Sequence, residues 1–242
     1  MSTWLSASKN QFQLLKDGVL NLIFPETCVN CETELTTQEK EVCFACWDKI
    51  QFTYFEGFQE PSSLDKLFWG RVELEGTFAM FYFQRGRSSQ KLLHALKYQF
   101  KGNLAVHLGK IAAERLENHP VFKDVEALIP VPLHSKKAFI RGYNQSEKIA
   151  KGIASVWNIP IVGHEVLKTK HTESQTRKDQ FQRWENVSSI FKVQGKLLEY
   201  KHIVLVDDVI TTGATLESLA KELKAANPNI RISIISLALA KS

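Results

Sequence analysis

The feature that most constrains this chain is the run His202-Ile-Val-Leu-Val-Asp-Asp-Val-Ile-Thr-Thr-Gly-Ala-Thr215. Residues 203–206 are apolar and long enough for a strand buried on both faces. Asp207 and Asp208 follow at its carboxyl end. Next comes a small-residue loop, Thr211, Thr212, Gly213, Ala214 and Thr215, then a helical pattern with Leu216, Leu219 and Leu223. In open α/β sheets, ligands bind outside the carboxyl ends of the strands. Gly213 lets the backbone turn sharply beside an anion, and the N–H groups and dipole of a helix start favour phosphate. The three threonine hydroxyls add donors. Two acids beside such a cradle suit a sugar diol and, directly or through water, a Mg²⁺ ion. The Gly-Lys-Ser/Thr ending of a P-loop is missing, and so is the Gly-rich opening of a dinucleotide fold. The bland alternative is a strand–turn–helix with two surface acids, but acids ending an apolar strand are costly unless partnered.

The rest of the chain supplies the sheet that such a cradle needs. Strand patterns at 77–84, 125–131, 190–193, 202–206 and 230–238 alternate with helical patterns at 88–98, 104–116, 144–156 and 214–225. That alternation predicts an α/β domain over 77–242, with a mostly parallel sheet and helices on both faces. Residues 168–186 are polar, rich in Lys, Arg, Gln and Thr, and read as a long loop of the kind that closes over ligands. Residues 1–26 carry a short amphipathic helix (Phe12, Leu15, Val19, Leu22, Ile23) that packs on the protein. Residues 51–76, with Gly57 and Pro61, read as a linker.

Residues 27–50 hold all four cysteines. Cys28-Val-Asn-Cys31 and Cys43-Phe-Ala-Cys46 are two knuckles, each turning two sulfurs toward one point. Together they supply the closed tetrahedral sulfur shell that structural zinc prefers. Paired dithiols or an iron–sulfur cluster are the alternatives. So small a module has little core, and metal binding would supply its folding energy.

The chain has 242 residues with 44% hydrophobic and 24% charged, which suits one full domain plus a small module. A formal net charge of +5 is too mild to indicate nucleic-acid binding by itself. No signal peptide or membrane span is recognisable, so a cytoplasmic location is expected, with reduced cysteines serving as ligands.

Two further stretches carry cations near strand ends. The first, Pro130-Val-Pro-Leu-His134 and then Arg141-Gly-Tyr-Asn-Gln145, encloses a basic loop in which Lys136, Lys137 and Arg141 are placed to neutralise a pyrophosphate. The second is the polar loop with Thr172, Gln175, Arg177, Lys178, Arg183 and Asn186. The run at 203–215 resembles the phosphoribosyl pyrophosphate (PRPP) motif of type I phosphoribosyltransferases. That resemblance implies that Asp207 and Asp208 hold the ribose hydroxyls and that residues 211–215 hold the 5-phosphate. Taken with the Cys knuckles, Leu96-Lys97-Tyr98 and the two basic stretches, almost the whole chain resembles the ComF family, competence-associated phosphoribosyltransferase-like proteins of bacteria. It departs from that family in lacking arginines before Arg141, where Lys137 and Phe139 stand, and lysine has no bidentate fork.

The resemblance implies a PRPP-binding protein involved in DNA uptake and natural transformation, a pentosyltransferase whose acceptor is not legible. Its expected cofactors are structural Zn²⁺ and PRPP-bound Mg²⁺, and its expected partners single-stranded DNA and the competence machinery. A non-catalytic PRPP sensor and a single-stranded DNA-binding accessory protein are the alternatives.

Overall fold

The computed structural model describes residues 25–57, 59–98, 102–133, 139–168, 191–193 and 199–240. The chain divides into two compact units, Met1–Lys49 and Ile50–Ser242. The residues that mark the expected N-terminal helix, Phe12 to Ile23, lie outside the described residues, as does most of the long polar loop.

The smaller unit is held by turns. Antiparallel bridges join Thr27 to Glu34 and Lys40 to Val42, and the single helical turn α1, Phe44–Trp47, starts at Cys43. Glu39 braces that turn: its carboxylate accepts from Thr36 N at 2.9 Å and Phe44 N at 2.7 Å.

In the larger unit, strands β1 (Gly76–Phe83), β2 (Ala127–Pro130), β5 (His202–Ile210) and β6 (Arg231–Ala240) form one sheet in the order β1-β6-β5-β2. All its pairings are parallel. Strands β3 (Val166–Lys168) and β4 (Phe191–Val193) form a separate antiparallel pair. The helices are α2 (Ser63–Phe68), α3 (Ser88–Tyr98), α4 (Gly102–Leu116), α5 (Gln145–Trp157) and α6 (Ala214–Ala226). Every residue of β6 except the two terminal ones is buried. Successive side chains of a strand point to opposite faces, so an unbroken buried run means that both faces are covered. The parallel α/β architecture is therefore the one the sequence predicts.

Three expectations need correction. The first is the linker. Residues 51–53 run antiparallel along the outer edge of β1, with Thr53 N to Met80 O at 3.1 Å and Tyr82 N to Gln51 O at 2.8 Å. Covering an edge in this way removes a site of unwanted strand pairing. Helix α2 follows, opened by a capping box in which Ser62 and Asp65 satisfy each other's backbone N–H groups. Phe55, Leu64 and Phe68 are buried, so this stretch belongs to the larger unit, which starts at Ile50 rather than at 77. The second concerns β5, which continues through the two acids to Ile210, because Asp207, Val209 and Ile210 keep their ladder with Ser236, Ala238 and Leu239. The third is that 166–168, for which no strand is expected, pairs antiparallel with the expected strand at 191–193, in a ladder outside the main sheet.

Two devices set the helices and strands. His202 is fully buried, with Nδ1 2.9 Å from Asp124 Oδ1 and Nε2 2.9 Å from Ser233 Oγ; it ties the amino end of β5 to β6 and to the turn before β2. Helices α4 and α5 cross with Gly109 and Gly152 at the contact, so close that a Cβ on Gly152 would stand 2.2 Å from Val106 O.

Candidate functional site

The four cysteine sulfurs gather within 4.8 Å of one another, and Cys31 and Cys43 are 3.6 Å apart. A tetrahedron with metal–sulfur bonds of about 2.3 Å has edges of roughly 3.8 Å, so the cluster fits zinc. Backbone N–H groups already point at one sulfur: Cys43 N is 3.3 Å and Asn30 N 3.5 Å from Cys28 Sγ. Burial pushes the Cys46 thiol up to about 12, whereas hydrogen bonding to Thr33 draws Cys31 down to about 6. Four thiolates at this spacing need a cation among them. All four expected ligands are together, three of them buried, with no open position for chemistry. The cluster is a structural zinc site.

The second centre lies at the carboxyl end of β5. Because neighbouring side chains of a strand diverge, Asp207 and Asp208 meet different helices. Asp207 Oδ1 accepts from Ser146 Oγ, in the first turn of α5, at 3.1 Å, and from Asp208 N at 2.9 Å. Asp208 Oδ2 lies 3.0 Å from Lys97 Nζ in the last turn of α3. Burial, and then the adjacent Asp208 charge, push the Asp207 carboxyl up to about 7.

The ends of α3 and α5 are tied together around this pair. Leu96 O accepts from Tyr143 Oη at 2.6 Å and Gln145 Nε2 at 3.3 Å. Gln145 Oε1 in turn accepts from Arg141 Nη1 at 3.0 Å, and the Arg141 guanidinium lies 5.9 Å from the Tyr98 ring centroid. Asn144 caps α5 through Ser146 N at 3.1 Å and donates to Val131 O at 3.0 Å. The stretch Arg141-Gly-Tyr-Asn-Gln145 thus brings the start of α5, and with it Ser146, to Asp207.

Beyond Ile210 the chain turns at Gly213, in the left-handed conformation at φ 72°, and α6 begins. Thr211, Thr212, Ala214 and Thr215 are exposed. Gly213 has no side chain with which to cap α6, and the loop's own contact is weak, with Thr212 Oγ1 3.5 Å from Ala214 N. The underside is firm: Arg71 donates to Thr212 O at 2.9 Å and to Glu217 Oε2 at 2.9 Å. An exposed, braced turn at a helix start presents N–H groups and a dipole that favour negative charge. Beside the neighbouring β2, a cavity of about 520 Å³ is lined by Pro130, Pro132, Leu133, Asn144, Glu147 and Ile161 among others.

The structure therefore brings together Asp207, Asp208 and Arg141 around one network, with residues 211–215 as the turn that follows. Lys137, Arg177, Lys178 and Arg183 lie outside the described residues. Lys97, Ser146 and Arg71 went unrecognised as site residues. Ser146 sits two positions past a recognisable helix cap, Asn144, and Lys97 in a motif known only by resemblance; neither carries a periodic signal of its own.

The phosphoribosyl transferase domain family matches residues 145–242, from α5 to the end of the chain. The double zinc ribbon domain family matches residues 19–57. Competence protein F of Haemophilus influenzae is 38% identical over 225 residues, which cover 81% of this chain and 90% of that protein. DNA utilization protein YhgH of Salmonella typhi is 26% identical over 136 residues, 54% of this chain and 58% of that protein. Competence protein ComFC of Bacillus subtilis is 30% identical over 94 residues, 39% and 36% of the two chains. No helix among the described residues is long and apolar enough to cross a membrane. With nearly the whole of Competence protein F matched, a phosphoribosyltransferase-like parallel sheet and a four-cysteine zinc module, the chain belongs to the ComF family.

Proposed function

We propose that the carboxyl end of β5 binds PRPP and that the protein works in competence-linked DNA uptake or use. One observation carries the binding reading: an exposed turn at the start of α6 follows a pair of carboxylates that two separate helices hold in place. In this reading Thr211, Thr212, Gly213, Ala214 and Thr215 take the 5-phosphate through backbone N–H and hydroxyl donors. Asp207 and Asp208 take the ribose hydroxyls. Arg141 faces the pyrophosphate, joined on the strength of the resemblance by Lys137 and by the loop cations Arg177, Lys178 and Arg183.

Mg²⁺ fits the same oxygens. Asp208 Oδ2 is buried, and its ion pair with Lys97 Nζ at 3.0 Å lacks hydrogen-bond alignment, which leaves a lone pair that a metal-bound water or a sugar hydroxyl can take. Bound there, the ion would neutralise pyrophosphate charge. The protein's own part is to orient the ribose and hold the anionic groups in fixed dipoles, which supplies most of the catalysis in such displacements. A nitrogen nucleophile would displace pyrophosphate from C1, and no described side chain stands out as its base. The acting compartment is the cytoplasm, where a zinc-ligating thiol set stays reduced.

The role in DNA uptake rests on the relatives, whose names link two of them to competence and one to DNA utilization. Calorimetry with PRPP and Mg²⁺ tests the cradle: wild type should bind, and Asp207→Asn/Asp208→Asn should not. No heat from wild type would end the reading. Pyrophosphate release over a panel of amines and nucleobases separates turnover from sensing. Titration of a labelled single-stranded oligonucleotide at several salt concentrations checks a direct DNA contact, which must weaken as salt rises.

A further inference from the structure

The site has a charge problem. Two largely buried carboxylates sit side by side where, on the reading above, a polyanionic ligand must also lie. Among the described residues, two cations stand in the network around the pair, and they are held differently. Arg141 is committed: its Nη1 donates to Gln145 Oε1 at 3.0 Å and its guanidinium lies 5.9 Å from the Tyr98 ring centroid. Lys97 is not. Its Nζ is 3.0 Å from Asp208 Oδ2, yet that oxygen has no aligned hydrogen bond. The Lys97 side chain keeps a quarter of its surface exposed, against 15% for Asp208. An ammonium on a four-carbon stem re-aims at little cost, whereas the backbone beneath it is fixed, because Leu96 O holds Tyr143 and Gln145.

We propose that Lys97 is a pyrophosphate-binding residue, parked on Asp208 in the free protein and handed to the ligand when ribose and its metal ion claim that carboxylate. The inference rests on the PRPP reading of the site. It explains why a lysine at the tip of α3 reaches a strand-end acid at all. Ion pairs between buried groups are poor stabilisers, since desolvation offsets their attraction. A cation stored beside the entering anion keeps the acids tolerable before binding and the phosphates neutralised after it. It also supplies positive charge from α3 in a protein that lacks arginines at 136–140 in its basic loop.

The test compares two ligands that differ only in the group Lys97 would touch. Calorimetry is run with Mg²⁺ and either PRPP or ribose 5-phosphate, on wild type, Lys97→Met and Lys97→Arg, with melting temperature and zinc content as checks of folding. Loss of a charge-assisted hydrogen bond in a site of this kind predicts a fall in PRPP affinity of roughly 10- to 100-fold for Lys97→Met. Ribose 5-phosphate should bind within about threefold of wild type, and Lys97→Arg should recover most of the PRPP affinity. Equal losses for both ligands would make Lys97 a purely structural partner of Asp208 and overturn the proposal, as would no loss for either. If wild type binds neither ligand, the PRPP reading falls and this inference with it; if wild type binds both and Lys97→Met is silent, only the inference falls.

Discussion

Gly213 and Phe68 touch so closely that a Cβ on the glycine would stand 2.8 Å from Phe68 Cζ and 2.9 Å from Cε1. The turn between β5 and α6 is therefore packed from beneath by a helix that sequence patterning leaves out of the domain. Gly213 also has φ 72°, a conformation that costs an ordinary residue about 1–2 kcal/mol.

Gly213→Ala meets both penalties. It should lower the melting temperature by at least about 2–4 °C, the shift that 1 kcal/mol produces in a chain of this size, and abolish detectable PRPP binding. Gly213→Ala/Phe68→Ala relieves the clash but not the dihedral strain, so binding should stay absent or weak in that variant. A double variant that binds like wild type would show the turn to be insensitive to its own geometry.

The misreading of 51–76 has a physical origin. Gly57 and Pro61 interrupt the pattern, and the helical spacing of Leu64, Leu67 and Phe68 spans too few residues to stand out. The Ser62…Asp65 spacing was nevertheless the signature of a capped helix, and it is realised. The core of each main-sheet strand, the approximate bounds of α3 to α6 and the Cys cluster are legible because each is written in local spacing. The partners of Asp207 and Asp208 were not: Ser146 and Lys97 are brought to β5 by two separate helices. The acids themselves looked like the residues after a strand, because polarity masks a ladder that backbone pairing continues to Ile210.

Asp207 gives a pH prediction. Its folded-state carboxyl sits near 7, above the unfolded value near 3.8, because of burial and the Asp208 charge. The folded protein therefore holds a proton that the unfolded chain has released, and stability from this group falls as pH rises from about 4 through 7. Asp207→Asn removes the charge that burial penalises. It should raise the melting temperature at pH 8 and change it far less at pH 4, while destroying PRPP binding. Wild-type affinity for PRPP and Mg²⁺ should move the opposite way to stability and strengthen as pH rises through 7, since the ligand wants the ionised acid. Melting curves and calorimetry at pH 5, 6, 7 and 8 check both; a variant no more stable than wild type at pH 8 would remove the buried-charge account.

Zinc makes a separate prediction. One metal ion per chain should be released by a thiol-modifying reagent and detected by a chromogenic chelator. Cys43→Ser should retain no zinc, because three sulfurs leave the tetrahedron open. Hydrogen exchange should then lose protection at Cys28 N and Val29 N, which bond to Thr33 O and Glu41 O. Protection in β5 and β6, whose ladder owes nothing to the metal, should persist. Protection retained around Cys28 in a zinc-free variant would mean that the module folds without metal, against the usual behaviour of so small a unit.

Gly152→Ala probes whether the site depends on a contact far from it. The added Cβ would meet Val106 O at 2.2 Å and Lys110 N at 2.8 Å, both backbone atoms that cannot swing aside. Helix α5 must then move off α4. The same helix carries Ser146 to Asp207 and is capped by Asn144, which in turn holds Val131 O. Overpacking of this kind costs about 1–3 kcal/mol, and because the displaced element also sets the carboxylate's hydrogen bond, PRPP affinity should fall at least about tenfold even where the protein stays folded. Gly57→Ala is the matched control: no atom lies within 4 Å of its Cβ position, and neither stability nor binding should change. If Gly152→Ala loses stability but binds PRPP normally, Ser146 is dispensable to the site and the start of α5 does not position Asp207.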